Sequence, residues 1–145
     1  MRVVIQRVNS AKVIVDKKVI SKITNGYLIY LGLKNDDTKE KVLKIINKIP
    51  KLRLFSDEFG KLNKNIIEVN GSCLVVSQFT LYGDVNKNNR PSFTETMPAT
   101  EAKVLYEYFC FELSKMNIPT KTGQFQADME VISSNDGPVN IFIEI

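Results

Sequence analysis

Histidine is absent from the 145 residues. Its absence excludes Ser-His-Asp and Cys-His nucleophile machinery, and with them the common histidine-based zinc sites. Chemistry near neutral pH therefore falls to a carboxylate, a lysine, the backbone or a group on the substrate. Cysteine is scarce: Cys73 and Cys110 are the only two, each inside an apolar segment. A secreted domain of this size more often carries several paired cysteines, so these two read as reduced, buried and packed as small hydrophobes. Long apolar runs are missing too, since none approaches the ~20 residues needed to cross a membrane. The opening Met1-Arg2-Val3-Val4-Ile5-Gln6-Arg7 is no signal peptide, because Gln6 and Arg7 break the apolar stretch at once. The expected location is the cytoplasm.

What is present is an ordinary core. Apolar residues make up 43% and charged residues 25%, the balance of a folded domain, and the length fits one domain over residues 1–145. The net charge of +4 and pI near 9.0 favour a polyanionic partner weakly. Sixteen of the twenty basic residues are lysines, a pattern that a genome-wide compositional bias also produces.

Periodicity predicts strands over residues 2–8, 11–15 and 19–23, with a turn at Lys17-Lys18. Asn25-Gly26 is a turn signal, and residues 27–33 form a continuous apolar strand buried on both faces. A helix opens at Asp36, Asp37 and Thr38, with Val42, Ile45, Ile46 and Ile49 as its apolar stripe and Pro50 as its stop. Short strands are expected over 52–55 and, after the turn at Asn70-Gly71, over 72–81. Residues 83–96 form a polar loop of a length that is often functional. A second helix runs from near Pro98 to about Met116 and buries Ala102, Leu105, Tyr106, Phe109, Leu113 and Met116, with Pro119 closing it. Three strands follow over 121–125, 129–133 and 139–145. About nine strands and two helices, with no repeat or linker, imply an α/β fold: mixed β-sheets forming a curved or barrel-like core that carries two helices.

Two stretches stand out chemically. Ser77-Gln78-Phe79-Thr80-Leu81 ends an apolar strand with sudden polarity, at a rigid place where backbone N–H groups become free. On the residues alone, Ser77 and Thr80 equally suit the satisfaction of local backbone groups at a strand exit. Asn135-Asp136-Gly137-Pro138-Val139 has the composition of a turn, and a plain hairpin connection accounts for it. A cis Gly137–Pro138 bond is the sharper alternative. It would hold neighbouring carbonyls in a fixed direction, able to grip an ammonium group.

Together these stretches resemble the SQFTL and Gly-cis-Pro (NxGPVT) motifs of the D-aminoacyl-tRNA deacylases. Ile5-Gln6-Arg7-Val8, Phe55-Ser56-Asp57 with Gly60-Lys61, Arg90-Pro91-Ser92-Phe93, and Gly123-x-Phe125-x-Ala127-Asp128-Met129 match in family order and spacing. The resemblance spans essentially the whole chain. Two positions depart from it: Asn140 stands where the family usually has Thr, and Gln126 where small residues are common.

The resemblance implies a tRNA-editing hydrolase that cleaves the ester of D-aminoacyl-tRNA, and also glycyl-tRNA mischarged on alanine tRNA, with no cofactor or metal. It implies a homodimer in which Gly137 and Pro138 of one subunit enter the other's site. There their carbonyl oxygens would hold the substrate's α-ammonium and clash with an L-side chain. Arg7 would brace the inserted turn, while Asn140 and Met129 would contact substrate. Ser77, Gln78, Phe79 and Thr80 would line the pocket for the terminal adenosine and the ester. Thr80 is the obvious candidate nucleophile, but no histidine is available to activate it. The family's use of the terminal ribose 2′-hydroxyl leaves Thr80 a positioning role, with N–H groups near Phe79 and Thr80 as an oxyanion site. Surface lysines, among them Lys87, would touch tRNA phosphates. Two other classes compete: a non-catalytic RNA-binding module, which would interleave exposed aromatics with basic residues, and a hydrolase of free D-amino-acid esters or peptides, which would need its own catalytic base.

Overall fold

Strand β1, Arg2–Val15, is one element where two were expected. Met1, Val3 and Ile5 are buried against the helices, and Asn9 and Ser10 are exposed. Beyond them Ala11, Val13 and Val15 are buried in a second cluster together with Val8. The register against the last strand slips between Val8 and Ser10, which is a β-bulge. A bulge redirects side chains without ending the ladder, so the two expected strands are one. The structure, a computed structural model, describes residues 1–86 and 89–145; the expected phosphate contact at Lys87 lies outside the described residues.

The remaining strands are β2 (Lys18–Ile23), β3 (Gly26–Gly32), β4 (Phe55–Ser56), β5 (Leu62–Lys64), β6 (Ser72–Ser77), β7 (Thr120–Thr122) and β8 (Glu130–Glu144). The turn between β1 and β2 falls one residue earlier than expected, at Asp16 and Lys17, both with positive φ. That is the backbone of a type I′ hairpin. The main sheet runs β2-β1-β3-β6-β7, with β8 along the other edge of β1. β1 pairs antiparallel with β2, β3 and β8, whereas β3–β6 and β6–β7 are parallel. β2 bends back towards β6 and β7, which curls the sheet into a nearly closed, barrel-like shape. The eight strands among the described residues differ from the nine expected at identifiable places. β4 keeps only the end of the expected 52–55, β5 was not expected, and the last three expected strands are two.

Two helices cover one face. α1, Lys39–Ile46, is capped by Thr38, whose hydroxyl accepts from the Lys41 N–H, and it buries Val42, Ile45 and Ile46. Pro50 cannot continue an α-helix, and it sits instead in a 3₁₀ turn at Ile49–Lys51. α2, Ala99–Ser114, buries Ala102, Leu105, Tyr106, Phe109 and Leu113 as expected, and Cys110 as well. Phe109 has no exposed surface, and its burial contributes on the order of 2 kcal/mol. One core lies between helices and sheet; the other fills the curl, where Leu28, Leu74 and Val76 meet Val13 and Val15.

Candidate active site

The site starts where β6 stops. Cys73, Leu74, Val75 and Val76 are buried, and pairing with β3 ends at Ser77 opposite Leu31. The Gln78 N–H still donates to the Leu31 carbonyl at 2.8 Å. The chain then folds into a 3₁₀ turn, Phe79–Tyr82, where a continued strand to residue 81 was expected. Arg2 holds this turn from outside: its Nη1 donates to the Leu81 carbonyl at 2.7 Å, and its guanidinium lies 4.4 Å from the Tyr82 ring centre. Among the described residues, the N–H groups of Phe79 and Thr80 reach no acceptor. They are the free donors that a strand exit followed by a tight turn leaves behind.

Beside this exit lies a cleft of about 570 Å³. Ser77, Gln78 and Phe79 form one side, Ala102 and Tyr106 of α2 another, and the segment from Phe125 to Met129 a third. Tyr106 is fixed by donating its hydroxyl to the Val75 carbonyl at 2.8 Å and by packing on Phe125 at 5.6 Å. Phe79 packs tilted against Phe93, ring centres 5.0 Å apart, yet remains 56% exposed, so its ring is available to a ligand. Met129 enters the cleft because Gly123 leaves it room: a Cβ there would stand 2.8 Å from the Met129 sulfur. Gln126, exposed and with φ +62°, also lines the cleft. Thr80 is exposed just beyond, its hydroxyl hydrogen-bonded to the Gln78 amide.

The other expected residues gather elsewhere. Val8 pairs with Asn135 and Gln6 with Asn140, so residues 136–139 bulge out opposite Arg7 alone. The anticipated turn is thus an excursion inside β8, not a hairpin. The Gly137–Pro138 bond is cis, and both residues are exposed. Arg7 is buried beneath them. Its Nη1 donates to the Leu54 carbonyl at 2.6 Å, and its Nε lies 2.8 Å from an Asp136 carboxylate oxygen. That N–H is not aimed at the oxygen, so the second contact is a charge pair and not an aligned hydrogen bond. Asn135 closes the base of the bulge by donating to the Arg7 carbonyl at 2.9 Å. Asn140 is exposed and paired with Gln6 just past the bulge. Arg7, Gly137, Pro138 and Asn140 line no part of the cleft in their own chain. The sequence marked Asn135 and Asp136 as turn residues but not as partners of Arg7, and it did not mark the Leu54 carbonyl. Asking what neutralises an arginine inside an apolar strand would have pointed to the acid at 136.

Titratable groups contribute little. Asp128, exposed at the rim, is the one carboxylate among the cleft-lining residues. Burial raises both thiols, Cys110 to about 12 and Cys73 further still, so neither ionises near neutral pH. Iodoacetamide at pH 8 is accordingly expected to leave the native protein unlabelled, as intact mass will show; rapid single labelling would mean that Cys110 is not enclosed as described. No group of three metal-ligating side chains converges among the described residues.

Residues 4–144 of the chain match the model of a family described as D-Tyr-tRNA(Tyr) deacylase. The chain belongs to this family. A D-aminoacyl-tRNA deacylase of a Nitratiruptor species is 52% identical over 144 residues, covering 99% of this chain and 97% of that protein. One from Lactobacillus gasseri is 48% identical over 145 residues and covers all of both. A solved structure titled c-Myc DNA Unwinding Element Binding Protein superposes with a TM-score of 0.94 at 40% identity, covering 100% of this chain and 99% of that one. A probable eukaryotic D-amino acid tRNA deacylase shares the fold at a TM-score of 0.85 and 16% identity, over 99% and 98% of the two chains. As a D-Tyr-tRNA(Tyr) deacylase family member, the chain is an enzyme of the D-aminoacyl-tRNA deacylase class, a hydrolase.

Proposed function

We propose that the enzyme hydrolyses the ester between a D-amino acid and the terminal ribose of tRNA, releasing the free acid and tRNA, and that it acts likewise on glycyl-tRNA mischarged on alanine tRNA. The carrying observation is the strand exit at Ser77-Gln78-Phe79, where unpaired N–H groups of Phe79 and Thr80 stand beside a cleft without an activated protein nucleophile. Such donors suit the oxyanion of a tetrahedral intermediate. The Phe79 face and Met129 offer a surface for the terminal adenine, and Gln78 with Thr80 positions the ester. The ribose 2′-hydroxyl supplies the proton handling that the protein lacks.

Selectivity belongs to Gly137 and Pro138, acting from a second copy of the chain. Their exposure on a braced bulge, away from their own cleft, supports insertion into a partner's. Val4, Tyr30 and Phe142 share an open face of the sheet, with Phe142 57% exposed, and the outer edge of β8 is unpaired among the described residues. A symmetric homodimer would cover both. In that arrangement the carbonyls receive the α-ammonium, and an L-side chain collides with them while a D-side chain or hydrogen does not. Asn140, beside the bulge, keeps a polar side chain towards the same ligand. No helix among the described residues is long and apolar enough to cross a membrane, and a tRNA substrate supports work in the cytoplasm.

The deciding experiment pairs D-tyrosyl-tRNA with L-tyrosyl-tRNA. The D-ester is expected to be lost at least about tenfold faster, which a clash of only ~1.4 kcal/mol against the L-form achieves. Equal cleavage of both would remove the chiral gate from Gly137 and Pro138, and no cleavage of either would favour a binding module.

A further inference from the structure

The β1–β2 hairpin carries four lysines: Lys12, Lys17, Lys18 and Lys22. Lys12 and Lys22 stand directly opposite each other in the ladder. Like charges in that position repel and weaken the pairing, so the fold gains nothing from them. None of the four forms a salt bridge among the described residues, whereas Lys34 and Lys41 pair with Asp36, Lys64 with Glu58, Lys103 with Glu107 and Lys115 with Glu112. Asp16, Asp128 and Glu130 line the depression beside Lys17 at the hairpin tip, and none of them forms a salt bridge among the described residues. The hairpin therefore carries four lysines that no ion pair ties down among the described residues, on a two-stranded support.

Its place relative to the cleft gives it meaning. A shallow depression of about 260 Å³, lined by Ile14, Asp16, Lys17, Asp128, Met129 and Glu130, adjoins the hairpin tip. Asp128 and Met129 also line the cleft. A nucleotide strand whose last residue sat in the cleft and left over Met129 would bring its preceding phosphates towards Lys17 and Lys18. Lysines without acidic partners, spaced along one hairpin, suit a line of phosphates.

We infer that the Lys12-Lys17-Lys18-Lys22 ridge of the β1–β2 hairpin binds the backbone phosphates of the tRNA strand leading into the cleft. This rests on the deacylase reading for the identity of the RNA. The ridge acts by charge and position and reads no base, so its contribution is salt-dependent and independent of the amino acid.

The test removes the three exposed charges in Lys17→Gln/Lys18→Gln/Lys22→Gln and compares a matched control of three exposed lysines likewise without a salt bridge among the described residues, Lys44→Gln/Lys48→Gln/Lys51→Gln, at the α1 end of the molecule. Each is assayed on D-tyrosyl-tRNA and on 3′-O-D-tyrosyl-adenosine, which has no phosphate backbone. For the hairpin variant, kcat/KM on the tRNA ester is expected to fall about tenfold and the slope of log rate against log salt to flatten by about 2–3, with the adenosine ester and the control within about twofold of the parent. Melting temperature of Lys22→Gln alone is expected to stay level or rise, because the Lys12 repulsion is relieved. An unchanged rate on tRNA, an equal loss on both esters, or the same loss in the control would each overturn the assignment. If the parent cleaves neither ester, the deacylase reading fails, and a fluorescence-anisotropy titration with uncharged tRNA still decides. Weaker binding by the hairpin variant than by the control upholds the ridge, and equal binding by both overturns it.

Discussion

Gly137→Ala is expected to lower deacylation of D-tyrosyl-tRNA by about 100-fold or more, the scale of a catalytic group displaced by roughly an ångström. A Cβ at residue 137 would stand 2.8 Å from Arg7 Nη2, 2.8 Å from Val139 Cγ2 and 3.1 Å from the Val139 nitrogen. The backbone there has φ +112°, a region that L-residues with side chains rarely adopt. Arg7 has little freedom to yield, because its guanidinium is held by the Leu54 carbonyl and by Asp136 within a buried setting. The bulge must therefore move, and with it the carbonyls proposed to meet the substrate's ammonium.

The same substitution is expected to leave the melting temperature within a few degrees. Gly137 and Pro138 are exposed, and neither core cluster includes them. This separation makes the variant informative: lost activity with retained fold assigns the bulge to the reaction. A Gly137→Ala enzyme with parental rates and parental D/L preference would show that the bulge does not gate the site.

Much of the fold was legible because local pattern and tertiary role coincide. The Val42, Ile45, Ile46 and Ile49 stripe is helical in spacing and buried in the structure. Asn25-Gly26 precedes a strand that is buried on both faces, as its unbroken apolar run suggests. Ser77 and Gln78 mark the strand exit where polarity returns. The failures concern events that two distant strands decide together. Asn9 and Ser10 look like a break between strands, yet β8 pairs across them, and no local signal records that partner. Asn135 to Pro138 has hairpin composition, but residues on both sides return to the same partner strand, which makes it a bulge. Leu54 presents a backbone carbonyl to Arg7, and carbonyls carry no sequence signature. The candidate site was legible as a set of residues through resemblance, and not as a geometry: Ser77, Gln78, Phe79 and Met129 meet at one cleft, whereas Arg7, Gly137 and Pro138 meet at a bulge.

Replacing the terminal 2′-hydroxyl of the substrate by hydrogen is expected to slow hydrolysis of D-tyrosyl-tRNA by about 10³-fold, within the range for losing a positioned proton-transfer group. Thr80→Ala is expected to cost less than about tenfold, the loss of one modest hydrogen bond. The Thr80 hydroxyl is bonded to the Gln78 amide, which in either orientation offers an N–H or a carbonyl oxygen and takes up no proton at neutral pH. The thiols stay protonated, and no histidine exists. Asp128 is the carboxylate at the cleft, but it is exposed at the rim and is not hydrogen-bonded to Thr80. Asp128→Asn therefore belongs beside Thr80→Ala as a second control, with the same small effect expected. Single-turnover rates on 2′-deoxy and ordinary substrates, measured for the three proteins, separate the possibilities. A deoxy substrate cleaved at the normal rate, with Thr80→Ala or Asp128→Asn folded and inactive, would transfer the proton handling from the substrate to that side chain. A slow deoxy substrate with both variants active leaves the enzyme the work its geometry suits: free N–H groups and a rigid cleft that hold the ester while the ribose does the chemistry.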